Sequence, residues 1–303
     1  MRLNLAPYDK FLEWGYADSS IRFFFSDNRK VQQLNSALKI VKLTDERKPA
    51  GLFENLHTGQ ISCACFADSK TLITAGEDCV VSVFTVTTSP GKPVELVPRS
   101  SVFGHKTPVT TIAVSKALST FVTVSSDGQA FLWDLNQLSF IRKLPLVRPV
   151  ECARINDVTG EILLGSGPNV LLYTLNGSLI LDQNVCMEQE DAVLSCAFYE
   201  GAGNEWLENH LIFTGHTKGR INVWRKSVIG GKWTLEPLRR LDHVDYKNEK
   251  GDNTEAGITC ITPMPTCLYS GDEDGRVVSF RSSFCWTPLM TLQYEWNFGR
   301  GDR

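Results

Sequence analysis

The chain has 303 residues, of which 42% are hydrophobic and 21% charged, and this balance excludes both a disordered chain and a membrane-embedded bundle. Its 31 basic and 34 acidic residues give a net charge of −3, which provides no overall attraction for nucleic acid or for an anionic membrane. No stretch approaches the ~18 consecutive apolar residues of a membrane span, and residues 1–7 lack the apolar segment of a signal peptide.

A strand, a turn and a second strand recur six times along the chain. The turn position of each copy holds, in chain order, Asp18, Asp78, Asp127, Gly167, Lys218 and Asp274. Six residues after each turn lies an aromatic residue: Phe24, Phe84, Trp133, Tyr173, Trp224 and Phe280. The turn positions are 40 to 60 residues apart, and a period of this length built from short strands is typical of a β-propeller.

We therefore predict an all-β fold in which residues 1–303 form a single β-propeller domain with six four-stranded blades. The predicted units are about 1–50, 51–100, 101–146, 147–187, 188–243 and 244–303. A seventh blade, upstream or cryptic, is the alternative. Residues 1–6 already look like the inner strand of the first blade, so no strand is left to complete the last blade and close the ring.

Polar residues at fixed offsets predict a hydrogen-bonded clamp inside each blade. The turn aspartate would accept from a histidine of the preceding loop, the histidine would reach a strand hydroxyl, and the hydroxyl would reach an indole N–H. The third unit has the full set, the second lacks the indole, and the others are less complete, with His243 a candidate for a displaced histidine. The predicted clamp residues are His57, Thr74, Asp78, His105, Thr123, Asp127, Trp133, Asp18, Thr214, Trp224, Ser270 and Asp274.

This constellation of histidine, aspartate and hydroxyl is interpreted as structural, because it repeats once per blade as a framework element would. No serine lies in the G-x-S-x-G turn that presents a hydrolase nucleophile. We therefore predict that the chain is not an enzyme and uses no cofactor.

The nine cysteines mark a further repeat. An apolar residue and a cysteine stand two apart about fifteen residues or more before four of the turns: Ile61 and Cys63, Val150 and Cys152, Leu194 and Cys196, Ile258 and Cys260. We predict that these cysteines are buried in the innermost strand of each blade as small hydrophobic residues. Their odd number and wide scatter predict a reducing, cytoplasmic compartment. Because no cysteines or histidines have zinc-site spacing, we predict no metal site.

The dipeptides Gly104-His105 and Trp133-Asp134 resemble the signature of the WD-repeat family of β-propellers. Longer stretches are similar to the C-terminal propeller of BEACH-domain proteins, in the branch of beige and the lysosomal trafficking regulator, and a fungal source is expected. They are residues 11–18, 103–110, 131–136, 155–162 and 172–177. The resemblance implies a non-catalytic scaffold for vesicle or lysosomal membrane trafficking or autophagy. It also implies that the chain is the C-terminal part of a longer protein.

The resemblance further implies that other proteins bind through the loops and propeller faces, that a BEACH domain is a partner in cis, and that the protein is peripheral to endolysosomal or vesicle membranes. No nucleic acid partner is expected. The fifth unit concentrates basic residues that predict a binding surface: Lys218, Arg220, Arg225, Lys226, Lys232, Arg239 and Arg240. The alternatives are a solvated face with no partner, and weak contact with anionic membranes. The latter would make the chain a peripheral phosphoinositide-binding propeller.

Overall fold

The computed structural model describes residues 10–17, 20–27, 48–87, 94–146, 148–199, 211–242, 256–263, 267–274 and 277–281. These residues form six antiparallel sheets in which consecutive strands pair, four sheets having four strands and two having three. They divide into two compact units, and the boundary lies between Val150 and Glu151. Within the described ranges, no helix is long and apolar enough to cross a membrane.

The first compact unit contains the first three sheets. The first sheet consists of β1 (Lys10–Ala17), β2 (Ser20–Asp27) and β3 (Lys48–Phe53). The second consists of β4 (Ile61–Phe66), β5 (Thr71–Gly76), β6 (Val81–Thr87) and β7 (Glu95–Val102). The third consists of β8 (Val109–Ser115), β9 (Thr120–Ser125), β10 (Ala130–Asp134) and β11 (Phe140–Lys143).

The second compact unit contains the other three sheets. The fourth sheet consists of β12 (Cys152–Ile155), β13 (Ile162–Ser166), β14 (Asn169–Tyr173) and β15 (Leu179–Asn184). The fifth consists of β16 (Val193–Phe198), β17 (Leu211–His216), β18 (Arg220–Ile229) and β19 (Lys232–Asp242). The sixth consists of β20 (Ile258–Pro263), β21 (Cys267–Asp272) and β22 (Val277–Arg281).

The all-β class and the repeated four-stranded unit are confirmed, whereas only four of the six predicted blades have all four strands among the described residues. The sixth sheet has three described strands, and so does the first. Residues 1–6, predicted as the inner strand of the first blade, lie outside the described residues.

The repeated aromatic residues coincide with β-bulges. In the first five sheets, the pairing between the last two strands shifts register immediately before Phe24, Phe84, Trp133, Tyr173 and Trp224. A bulge adds one residue to a strand and increases its local twist. The last four of these side chains are buried, so the bulge accompanies an aromatic ring that packs into the core.

In the first strand of the fifth sheet, the position that Cys63 has in the second sheet holds Ser195. The repeat of cysteines predicted Cys196 there. Ser195 pairs with Gly215 as Cys63 pairs with Ala75, whereas Cys196 pairs with Thr214. The sequence pattern placed Leu194 at the position of Ile61, whereas the structure places Val193 there, because Val193 pairs with His216 as Ile61 pairs with Gly76.

The predicted burial of these cysteines holds for Cys152 and Cys196 and is wrong for Cys260. Cys63 is half-buried. In β20 the register shifts between Ile258 and Cys260 as it does between Ile61 and Cys63 in β4, and Cys260, unlike Cys63, faces solvent.

The fourth sheet has a hairpin one residue shorter than those of the second, third, fifth and sixth sheets. Ile162 pairs with Tyr173, eleven positions later, whereas Leu72 pairs with Phe84, twelve positions later. The residue that corresponds to the clamp hydroxyl is therefore Leu164, which pairs with Leu171 as Thr74 pairs with Ser82 in the second sheet. Leu164 is fully buried, and apolar packing takes the place of the polar clamp in this sheet.

Hydrophobic cores lie between neighbouring sheets within each compact unit. One core joins the second and third sheets through residues such as Ile73, Val83 and Phe121. In the other unit, one core joins the fourth and fifth sheets and another joins the fifth and sixth. The last approach is close: a Cβ at Gly215 would lie 2.7 Å from Ile258 Cγ2, so only glycine fits there.

Candidate functional site

The third sheet holds a hydrogen-bond chain that runs from an indole to a carboxylate. Trp133 Nε1 donates to Thr123 Oγ1 at 2.8 Å, and Thr123 Oγ1 lies 2.7 Å from His105 Nε2. His105 Nδ1 is 2.9 Å from Ser125 Oγ, and Ser125 donates to Asp127 Oδ1 at 2.6 Å. All four predicted residues take part, and Ser125, which sequence reasoning missed, stands between the histidine and the aspartate.

The surroundings of this hydrogen-bond chain determine the charges of His105 and Asp127. Burial lowers the pKa of His105 to about 4, although the charge of Asp127 acts to raise it. The hydrogen bond donated by Ser125 lowers the pKa of Asp127 to about 2. At neutral pH the imidazole is therefore uncharged and the aspartate ionised, which matches a network of fixed donors and acceptors.

The second sheet has a shorter version. His57 Nδ1 lies 2.9 Å from Asp78 Oδ2, and His57 Nε2 lies 2.7 Å from Thr74 Oγ1. Burial acts to raise the pKa of Asp78, but hydrogen bonds from His57 and from backbone N–H groups lower it overall. Phe84 stands where the third sheet has Trp133, so the threonine receives no indole hydrogen bond.

The fifth sheet contains a full chain that the repeat alignment did not predict. Trp224 Nε1 donates to Thr214 Oγ1 at 2.9 Å, and Thr214 Oγ1 lies 2.9 Å from His216 Nε2. Asn222 Nδ2 lies 3.1 Å from the same His216 nitrogen. On the other side of the ring, His216 Nδ1 lies 3.1 Å from Asp191 Oδ2.

The origin of the histidine and the acid is therefore reversed in the fifth sheet. His216 belongs to β17 and Asp191 to the loop before β16, whereas in the second sheet the histidine comes from the loop and the acid from the turn. His243, the predicted candidate for a displaced histidine, lies outside the described residues. The signal available in the sequence was the run Thr214-Gly215-His216, with Asp191 ahead of the preceding strand.

The remaining predicted clamp residues make no such chain among the described residues. Ser270 is buried, and its Oγ has no hydrogen-bond partner among them. Asp274 is exposed, and Asp18 lies outside the described residues.

A free thiol lies beside the clamp of the fifth sheet. Cys186 Sγ is 3.5 Å from His216 Nδ1, the same nitrogen that faces Asp191. Burial, followed by the charge of Asp191, raises the pKa of this thiol to about 12. A cysteine-protease arrangement needs the thiol and the acid on opposite ring nitrogens, so this grouping does not fit nucleophilic catalysis.

The predicted basic surface of the fifth unit is partly neutralised. Lys218, Arg220 and Arg240 all contact Glu188, with Lys218 Nζ 3.5 Å and Arg240 Nη1 4.0 Å from its carboxylate. Asp242 accepts a further bond from Arg240 at 3.2 Å. Three cations thus share one glutamate, which leaves an excess of positive charge at this edge.

Lys226 does not belong to this surface. Its side chain is buried, with Nζ 2.7 Å from Glu161 Oε2 and 4.9 Å from the centre of the Trp233 ring. Lys226 thereby joins the fifth sheet to the fourth, and its charge is not available to a partner. Arg225 and Lys232 are exposed, and Arg239 is half-buried.

The hairpin formed by β18 and β19 carries exposed apolar side chains near its end. Val228 and Ile229 each expose more than half of their surface, and Trp233 exposes 39%. Gly230 and Gly231 form the turn with φ angles of 58° and 78°, as the tight hairpin turns that favour glycine require. The concentration of charge in the sequence predicts the cations of this hairpin as a surface but gives no signal for Val228 and Ile229.

Comparison with known proteins agrees with this architecture. Residues 52–85 and 97–134, which include the clamps of the second and third sheets, match the family model "WD domain, G-beta repeat". The chain is 27% identical over 290 residues to Beige protein homolog 1 of Schizosaccharomyces pombe, covering 89% of this chain and 10% of that protein.

Two further relatives also match most of this chain with a small part of their own length. BEACH domain-containing protein A2 of Arabidopsis thaliana is 32% identical over 222 residues, which is 72% of this chain and 6% of that protein. The human Lysosomal-trafficking regulator is 26% identical over 278 residues, which is 89% of this chain and 6% of that protein. The chain therefore spans a tenth or less of the length of these relatives.

Proposed function

Since this chain is a WD-repeat β-propeller homologous to the Beige and BEACH proteins, we propose that it is a non-catalytic protein-interaction scaffold in vesicle or lysosomal membrane trafficking or autophagy. Propellers of this family are typically scaffolds without turnover, and their exposed loops and faces are the surfaces that bind partners. We further propose that residues 1–303 form one propeller in which each of the six sheets is a blade.

The polar groups that could perform chemistry are occupied within the sheets, which supports a non-catalytic role. His57, His105 and His216 each have both ring nitrogens within hydrogen-bond distance of a side chain of their own clamp. Histidines held in this way position strands and do not face a substrate.

The observation that carries the proposal is the exposed end of the β18–β19 hairpin. Two aliphatic side chains, Val228 and Ile229, are exposed there, and the exposed Lys232 pairs with Ile229 across the hairpin. Exposed apolar groups rimmed by charge are typical of protein interaction sites. We define the hairpin surface as the apolar Val228, Ile229 and Trp233 at the turn together with the cations of the hairpin, and we propose it as the partner-binding surface. Of these cations, Lys232 pairs with Ile229 at the turn, and the others follow towards the opposite end of the hairpin: Arg225, Arg239, Arg240, Arg220 and Lys218.

The partners that we propose are other proteins with an apolar and acidic contact surface, together with a BEACH domain in cis, as the name of the Arabidopsis relative suggests. The corresponding location is the cytoplasm, peripheral to endolysosomal or vesicle membranes.

Affinity capture with the full chain tests this function. The double variant Val228→Asp/Ile229→Asp should lose specific proteins that the wild-type chain captures from a eukaryotic lysate, as quantified by mass spectrometry. The matched control is Val97→Asp/Phe103→Asp, because these side chains are also exposed and apolar but belong to the second sheet and the loop that follows it. Equal capture by all three proteins would contradict the role of the hairpin surface.

A second candidate function is direct binding to anionic membranes. Aliphatic residues and a tryptophan beside lysine and arginine are the composition that lies in the interface of an anionic bilayer. Vesicle flotation should then show binding to phosphatidylcholine vesicles that contain phosphoinositide, weakened by salt and by the Val228→Asp/Ile229→Asp change. Binding that is absent, or that is unaffected by salt, would exclude this alternative and leave the protein scaffold.

A further inference from the structure

We propose that Cys186, Asp191 and His216 form a binding site for a zinc ion at the clamp of the fifth sheet. The sequence analysis predicted no metal site, because these three residues have no zinc-site spacing along the chain. The structure brings one ligand atom from each within 4.8 Å of the others. Among the described residues, this is the one group of three such side chains that could hold a metal ion.

The distances between the ligand atoms suit a tetrahedral zinc ion. Zinc binds thiolate sulfur at about 2.3 Å and imidazole nitrogen or carboxylate oxygen at about 2.0 Å. Around a tetrahedral centre, these bond lengths place the sulfur and the nitrogen about 3.5 Å apart and the nitrogen and oxygen slightly closer. The structure has Cys186 Sγ 3.5 Å from His216 Nδ1 and Asp191 Oδ2 3.1 Å from the same nitrogen.

Hydrogen bonds behind two of the ligands hold them in place. His216 Nε2 faces Thr214 and Asn222, which leaves Nδ1 as the nitrogen directed at the thiol and the acid. Metal-binding histidines are usually oriented by such a bond from the other ring nitrogen. When Nδ1 binds the metal, the ring proton resides on Nε2 and is donated to Thr214 Oγ1, which has a second lone pair for it, and the Asn222 amide must then turn its oxygen, not its NH2, towards the ring.

The carboxylate is oriented in the same way. Asp191 Oδ1 accepts hydrogen bonds from Thr217 Oγ1 at 2.8 Å and from the Ala192 N–H at 3.0 Å. The other oxygen, Oδ2, is the one that faces His216 Nδ1. His216 and Asp191 are thus both held by hydrogen bonds to groups that are not metal ligands.

The comparison with the second sheet identifies the thiol as the added element. There a histidine and an aspartate meet directly, and no third metal ligand accompanies them among the described residues. A structural clamp needs only the histidine, the acid and the hydroxyl, so Cys186 has no part in it. A thiolate ligand favours zinc over magnesium or calcium, which prefer oxygen.

Binding is a proton exchange without change of oxidation state. The Cys186 S–H bond breaks, the sulfur becomes a thiolate bound to Zn²⁺, and the proton is released to solvent. Three protein ligands leave one position of a tetrahedral ion for water or a partner side chain. Cys186 is only half-buried, which gives the ion a route to the site.

Titration of the metal-free full chain with Co²⁺ and Zn²⁺ tests this site. Co²⁺ should produce a thiolate-to-cobalt absorption band that saturates at one equivalent and disappears when Zn²⁺ is added. Cys186→Ser should abolish the band and weaken Zn²⁺ binding at least tenfold, and Asp191→Asn should weaken binding tenfold or more.

The control for the thiol is Cys260→Ser, since Cys260 is the exposed cysteine of the sixth sheet and should leave the band unchanged. Circular dichroism verifies that each variant is folded. A wild-type chain without a thiolate band at one equivalent, or a band that survives in Cys186→Ser, would overturn the proposal whatever the result of the capture experiments.

Discussion

The clamps of the third and fifth sheets contain the same kinds of groups but take them from different parts of the chain. In both, an indole N–H reaches a threonine hydroxyl, at 2.8 Å from Trp133 and 2.9 Å from Trp224. In both, the threonine then contacts an imidazole Nε2. In the third sheet the histidine comes from the loop before the sheet, and in the fifth it comes from the strand itself.

The two clamps show that a buried network requires satisfied partners in space, not a fixed order along the chain. Ser125 and His216 occupy equivalent positions, each two residues after the threonine. When the imidazole stands at that position, the serine relay is unnecessary and Asp191 binds the ring directly from the loop. In the third sheet, His105 is instead connected to the exposed Asp127 through the hydroxyl of Ser125.

The same comparison shows a difference in redundancy. His105 Nε2 has one hydrogen-bond partner, Thr123. His216 Nε2 has two, because Asn222 lies 3.1 Å away in addition to Thr214. Replacement of the threonine should therefore lower the free energy of unfolding more in the third sheet than in the fifth.

The largest effect is expected for Thr123→Val in the third sheet. This change keeps the shape of the side chain but leaves both Trp133 Nε1 and His105 Nε2 buried without a partner. Each orphaned group costs about 1–3 kcal/mol, so the free energy of unfolding should fall by about 2–6 kcal/mol. Urea denaturation measures it, with the exposed Thr58→Val as a control that should change stability by less than about 0.5 kcal/mol. A loss no larger than that of the control would show that the chain of bonds contributes nothing.

A smaller loss is expected for Thr214→Val in the fifth sheet. Trp224 Nε1 loses its acceptor, but His216 Nε2 keeps Asn222, so the free energy of unfolding should fall by about 1–3 kcal/mol. Adding Asn222→Leu to this variant removes the remaining partner and should bring the loss to the level of Thr123→Val. If Thr214→Val proves more damaging than Thr123→Val, the redundancy inferred from the structure is wrong.

The smallest effect is the pH dependence of stability. Because burial lowers the pKa of His105 to about 4, the unfolded chain takes up a proton near pH 6.5 that the folded chain does not. Stability is therefore full above about pH 6.5 and falls as the pH decreases towards 4. The change His105→Gln should flatten the dependence between these values, measured by denaturation at a series of pH values.

The residual slope in His105→Gln should come from His216, whose pKa is also lowered by burial. The aspartate acts in a separate range, because the pKa of Asp127 is about 2 and its contribution is lost only below about pH 4. An identical slope in the wild-type chain and in His105→Gln would indicate that His105 is not kept neutral by burial.

Local spacing explains why the sequence predicted the strands, turns and clamps of the second and third sheets. Thr123, Asp127 and Trp133 belong to one hairpin, and the turn between its strands sets their offsets, so the pattern is visible without a structure. The homology to WD-repeat and BEACH proteins rests on the same local stretches, and the comparisons confirm it.

Groups that meet across large separations in the chain were not predictable in this way. Asp191 and His216 are 25 positions apart, and Lys226 and Glu161 are 65 apart. The position of Ser195, which takes the place that Cys63 has in the second sheet, depends on the register of pairing with the neighbouring strand.

The fold class and the repeat were thus encoded in short-range patterns, because hairpin geometry and alternation act over a few residues. The partners of the fifth sheet were decided by packing between strands and loops that are distant in the chain. Lys226 is buried against Glu161, although the sequence predicted it on the surface. His216, a residue of the strand, takes the place of the expected loop histidine, and the Cys186 thiol lies beside His216. Hydrogen-bond satisfaction and burial depend on which atoms meet in space, and a periodic pattern carries no information about that.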